Sequence, residues 1–100
     1  MHTTYNNRSI KIMFRLWGKI FKDTRLIQDV VIEDTSSDTR THKIFHAIDE
    51  ICMKFDISHP IWLESNIKDF KKHNKVRFLS DNFIDGCSFD YLEIQIIEED

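Results

Sequence analysis

Residues 9–21 can be read at two periods, and no other stretch constrains the fold as much. At period two, Ile10, Ile12, Phe14, Leu16 and Ile20 share one face, with Lys11, Arg15 and Lys19 on the other. At helical spacing, Ile10, Met13, Phe14, Trp17, Ile20 and Phe21 make one stripe, and Lys11, Arg15, Lys19 and Lys22 make another. A strand here begins a small sheet domain. A helix would be a basic amphipathic segment suited to membranes or acidic partners. The residues that follow favour the strand. Lys22-Asp23-Thr24-Arg25 has turn composition, and Ile27, Val30, Val31 and Ile32 then give a second run of strong strand propensity. A four-residue turn makes the two runs antiparallel neighbours. Gly18 marks a bulge or a close approach of another element.

Further along, the polar residues 34–38 supply helix N-cap candidates. Ile44, Ile48, Ile51, Cys52 and Phe55 then recur at helical spacing, predicting a helix over residues 39–55 whose apolar face covers the hairpin. His59-Pro60 ends that region, because the residue before proline avoids helical angles. Ile61-Trp62-Leu63 reads as a short extended piece. A second, shorter helix is expected over 65–73, capped by Ser65 with Ile67 and Phe70 inward, followed by a short strand over 76–79. Residues 80–86 read as a turn region, with one helical turn around Phe83 and Ile84. In residues 89–97, Leu92, Ile94 and Ile96 alternate with Glu93 and Gln95, a strand with one buried face. Residues 1–8 read as a loose terminus.

Together these predict a single α+β domain over residues 1–100. It has an N-terminal β-hairpin, one long amphipathic helix across a mixed sheet, and a C-terminal strand beside the first in a β-grasp-like arrangement. One hundred residues suffice for one compact core.

Charge is distributed in blocks. Residues 1–22 hold five Lys/Arg and no Asp/Glu, and residues 23–66 hold four against nine. Residues 67–77 hold five against one, and residues 78–100 none against seven. Either oppositely charged strands lie side by side, or the surface is polarised into faces that steer a partner. No apolar run reaches membrane-spanning length, and Lys11, Arg15 and Lys19 interrupt every candidate signal core. Cys52 falls on the apolar helix face and Cys87 follows Gly86 in a turn. The two contexts do not suggest a disulfide framework, so a reducing cytoplasm is expected.

With only Gly18 and Gly86, the chain lacks the glycine-rich loops that cradle phosphates, and no cofactor is expected. No serine sits in a nucleophile elbow. His42 and His46 are four apart on the long helix, with Asp49 or Glu50 nearby, a spacing that could share Zn²⁺. An exposed helix face with two histidines gives the same pattern, so no metal site is assigned. His59 near Trp62 and Glu64 lacks the neighbour and cleft that a general base needs, so no catalytic residue is assigned.

Two surfaces remain. Met13, Arg15, Trp17, Lys19 and Phe21 line the outer face of the first strand, a composition common at protein interfaces, although a second layer including Trp62 would cover it. Lys68, Lys71, Lys72, Lys75 and Arg77 form a cationic cluster that could meet phosphates, with Phe70 or Phe78 stacking on bases. The reading favoured is a non-enzymatic interaction or regulatory module, with a protein partner or a second copy of itself as a homodimer. A nucleic-acid accessory protein and a metal-dependent enzyme are the alternatives.

Overall fold

The computed structural model describes residues 13–99. The expectations for the loose terminus and for the start of strand one at residues 9–12 lie outside them. The elements are β1 (Phe14–Lys22), β2 (Arg25–Asp34), α1 (Arg40–Phe55), α2 (Glu64–His73), β3 (Lys75–Phe78), a 3₁₀ turn (Ser80–Asn82) and β4 (Tyr91–Glu99). The strands form one sheet in the order β2-β1-β4-β3. Every neighbouring pair is antiparallel.

The last strand therefore lies beside the first, as expected, but runs opposite to it. The sheet is antiparallel throughout, not mixed, and the β-grasp-like arrangement is not confirmed. Two helices, Arg40–Phe55 and Glu64–His73, pack on it. The Ile61-Trp62-Leu63 piece joins no strand.

The hairpin forms as the sequence implies. Lys22 pairs with Arg25, leaving Asp23 and Thr24 as a two-residue loop. Both have positive φ, 54° and 64°, the backbone that matches the twist of a tight hairpin. A β-branched threonine is strained there. Asp90 braces the turn: its carboxylate accepts from the Asp23 N–H at 2.8 Å, and its own N–H donates to the Phe21 carbonyl at 2.9 Å.

Thr39 caps α1, its hydroxyl accepting from the His42 N–H at 3.2 Å, and Asp56 ends it in the left-handed region. The buried side of α1 carries Ile44, Ile48, Ile51 and Cys52. It rides directly on β1 at Gly18, where an added Cβ would lie 2.8 Å from Ile51 Cδ1 and 2.9 Å from its Cγ2. Gly18 is thus a close-approach point. The bulges lie elsewhere, where pairing shifts after Ile20 and after Arg15.

Phe14, Leu16, Ile20, Val76, Phe78, Leu92, Ile94 and Ile96 complete the core from the sheet. Cys52 lies in it, and burial, with a smaller push from Asp49, raises its thiol to about 11, which leaves it protonated and inert.

The N-terminus of α2 departs from expectation. Its cap position is Leu63, not Ser65, and the Asn66 side chain accepts from the Leu63 N–H at 2.9 Å. Asn66 and Asn82 form a buried pair, with the Asn82 amide donating to Asn66 Oδ1 at 2.7 Å. Asn82 also accepts from the Leu79 N–H and donates to the Ile61 carbonyl. This hub ties the loop before α2 to the segment after β3, satisfying backbone groups that the loops would otherwise bury unpaired. Among the described residues, no helix is long and apolar enough to cross a membrane.

Candidate functional site

Both helices lie on one face of the sheet. The opposite face has no helix or strand over it among the described residues, and the register fixes its layout. Leu26, Phe21 and Tyr91 make the row nearest the hairpin turn. Asp29, Lys19, Glu93 and Arg77 make the next. Val31, Trp17, Gln95 and Lys75 follow, and then Glu33, Arg15 and Glu98. Apolar and aromatic rows alternate with charged ones.

This arrangement explains the charge blocks. Arg15 sits between carboxylates of both neighbouring strands, while Lys19 is paired from the β4 side alone. Arg15 Nε lies 3.1 Å from Glu33 and 3.2 Å from Glu98. Lys19 Nζ lies 2.6 Å from Glu93 Oε2 and donates to Gln95 Oε1 at 3.0 Å. Arg77 Nε holds the other Glu93 oxygen at 2.9 Å. The side-by-side reading is therefore the one realised.

The Lys19–Glu93–Arg77 triad is buried at its centre, with Lys19 6% and Glu93 4% exposed, although no secondary-structure element of the described residues covers it. Neighbouring rings provide the roof. Lys19 Nζ lies 3.8 Å from the Trp17 ring centre, and the Arg77 guanidinium 4.6 Å from that of Tyr91. Tyr91 in turn stacks on Phe21 at 5.0 Å. Trp17 is oriented by its indole N–H, which donates to Asp29 at 2.9 Å. Burial pushes the Glu93 carboxyl up, but the hydrogen bonds and charges of Lys19 and Arg77 outweigh it and hold the group below its ordinary value. The same hydrogen bond raises Arg77.

Of the expected surface, Arg15, Trp17 and Phe21 are half-buried on this face, Met13 is half-buried just before β1, and Lys19 is buried in the triad. Trp62 does not cover them. It packs on the other side of the sheet, edge-on to Phe78 at 5.0 Å and to Phe70 at 5.6 Å.

The cationic cluster is divided by the fold. Lys68, Lys71 and Lys72 are exposed on α2. Lys75 and Arg77 alternate with the buried Val76 and Phe78 and so belong to the open sheet face, where Glu93 engages Arg77. Phe70 and Phe78 are core residues and present no ring to a base.

Ile67, expected inward, is 42% exposed. His42 pairs with Asp38 at 3.0 Å, and His46 lies beside it with ring centres 6.4 Å apart. His59 pairs with Asp49 of α1 at 2.7 Å rather than joining Glu64. Among the described residues, no group of three or more His, Cys, Asp or Glu is placed to hold a metal ion.

Sequence reasoning missed the burial of Lys19 and Glu93. The one available signal was their alternation with apolar residues in two strands expected to be neighbours. Comparison with known proteins adds no assignment: no family model matches the chain, and neither a curated protein nor a solved structure matches it.

Proposed function

We propose that this chain is a small non-enzymatic interaction module that recognises a protein partner through the open face of its sheet. The observation that carries the reading is a face, uncovered by any helix or strand among the described residues, with ordered aromatic rows. Trp17, Phe21 and Tyr91 are held in place by hydrogen bonding, stacking or cation contacts, and Val31 and Leu26 are 41% and 46% exposed beside them. Pre-oriented aromatics flanked by apolar side chains are the usual anchors of protein interfaces, because little freedom is lost when they are covered. Arg15, Lys19 and Arg77 among them are already paired with carboxylates, which favours a mixed-charge protein surface over a polyanion. A cytoplasmic setting suits the two free cysteines.

Nucleic-acid binding through Lys68, Lys71, Lys72, Lys75 and Arg77 has weaker support, since the five do not share a face and their nearby rings are buried.

The test is affinity capture from nuclease-treated native lysate, comparing the parent with Leu26→Lys/Val31→Lys and with Lys71→Glu/Lys72→Glu. The expected result is a specific protein retained by the parent and by the lysine variant but lost by the sheet-face variant. If the retained protein is the chain itself, sedimentation shows a concentration-dependent dimer that the sheet-face variant lacks. Retention indifferent to the sheet-face changes, or present only without nuclease, would overturn the reading.

A further inference from the structure

On the helix side of the sheet, α1 and α2 diverge around a cleft of about 250 Å³. Trp62, Ile44 and Phe70 lie deep in it, and Phe45 (48% exposed) and Ile67 form its walls. Phe45 meets Trp62 edge-on at 6.4 Å, so the aromatic surface is continuous into the cleft. The charged residues on its lining are Arg40 and Lys71, with the Thr41 hydroxyl beside them and no carboxylate.

Arg40 is fixed in place. Its Nε holds Glu99 at 2.6 Å, one Nη2–H donates to Asn74 Oδ1 at 3.1 Å, and its guanidinium lies 5.7 Å from the Phe70 ring centre. Its remaining N–H donors are uncommitted among the described residues. Lys71 is exposed and has no carboxylate of the described residues within ion-pair reach.

An apolar, aromatic-walled cleft bordered by the unpaired Lys71 and by the remaining N–H donors of the Glu99-paired Arg40 selects an amphipathic anion. Its volume suits a small organic acid and is too small for a helix. We infer that the α1–α2 cleft is a binding site for a small aryl carboxylate, its ring against Phe45, Trp62 and Ile67 and its charge toward Arg40 and Lys71. This site is on the opposite side of the sheet from the proposed interaction face and does not depend on it.

The two tryptophans make the test site-specific. Trp62 lines the cleft, and Trp17 reports the other face. Titrating ¹⁵N-labelled protein with 3-phenylpropionate at low salt should move the Trp62 indole N–H signal saturably and leave that of Trp17 in place. The neutral 3-phenylpropan-1-ol should bind roughly tenfold more weakly, the size of effect expected for one charge-assisted hydrogen bond. Lys71→Gln, at an exposed position, should weaken the acid roughly tenfold without changing the thermal midpoint. Ile67→Glu should abolish its binding. The inference fails if the Trp62 signal does not respond, if both indoles respond alike, if the alcohol binds as tightly as the acid, or if Lys71→Gln binds like the parent.

Discussion

The two faces of β1 solve the same packing problem with different chemistry. Toward the helices, Phe14, Leu16, Gly18 and Ile20 meet an apolar layer so close that Gly18 has no room for a methyl group. Toward the open side, Arg15, Trp17, Lys19 and Phe21 build a thin layer from their own side chains, with charge at its centre and rings over it. The first face is held by burial, which ignores pH and salt to first order. The second depends on ion pairs that are sheltered only by side chains. Among the described residues, charge is thus buried without a second layer of secondary structure, one carboxylate, Glu93, being shared by two cations under a roof of aromatic rings.

Breaking the open face at its centre should have the largest effect. Glu93→Ala leaves Lys19 buried with no counter-charge and should cost ~3–5 kcal/mol in urea unfolding. A cost below about 1 kcal/mol, the scale of an exposed pair, would show that water reaches the triad freely. On the helix face, Gly18→Ala pushes a methyl into Ile51 and should cost ~1–3 kcal/mol. That loss should be the same at low and high salt and partly restored by adding Ile51→Val. A salt-dependent loss would mean the two faces are coupled.

The faces should also separate in acid. The folded-state value of Glu93 lies below its ordinary 4.5. Its stabilisation is therefore fully present above that value and is lost as pH falls through the folded one. Unfolding free energy measured against pH should decline in that window for the parent. The decline should be shallower for Glu93→Gln, and an identical profile would remove Glu93 as its source. The smallest effect is a gain: Thr24→Gly relieves a β-branched residue at φ 64° and should raise stability by about 1 kcal/mol. No rise in thermal midpoint would mean that the Thr24 hydroxyl, donating to the Asp23 carbonyl at 2.6 Å, compensates the strain.

Much of this architecture is legible in local sequence. Leu92, Ile94 and Ile96 announce β4, the isoleucines announce α1, although its cap is Thr39 rather than a residue of 34–38, and the four-residue turn pairs β1 with β2. The charge blocks allow either neighbouring unlike strands or a polarised surface, and only the register decides between them. Strand direction is not legible, because antiparallel and parallel neighbours share the same alternation. The Asn66–Asn82 hub is also hidden, since a polar residue in a loop-rich stretch looks the same exposed or buried until the chain folds round it. The cleft is harder still. Arg40 and Lys71 come from different helices, and nothing local says that those helices diverge there. Ile67, periodic with Phe70, was expected inward and instead forms a cleft wall.

The place of β4 between β1 and β3 has a consequence for how the molecule comes into being. The hairpin and both helices leave the ribosome before the strand that joins β1 to β3. Until then one edge of β1 has no hydrogen-bond partner, Lys19 has no Glu93, and the row of Leu16, Gly18 and Ile20 is only half enclosed. Contacts this distant along the chain close slowly, because loop entropy is lost before they form. Before β4 emerges, a bare sheet edge of this kind is open to pairing with another chain.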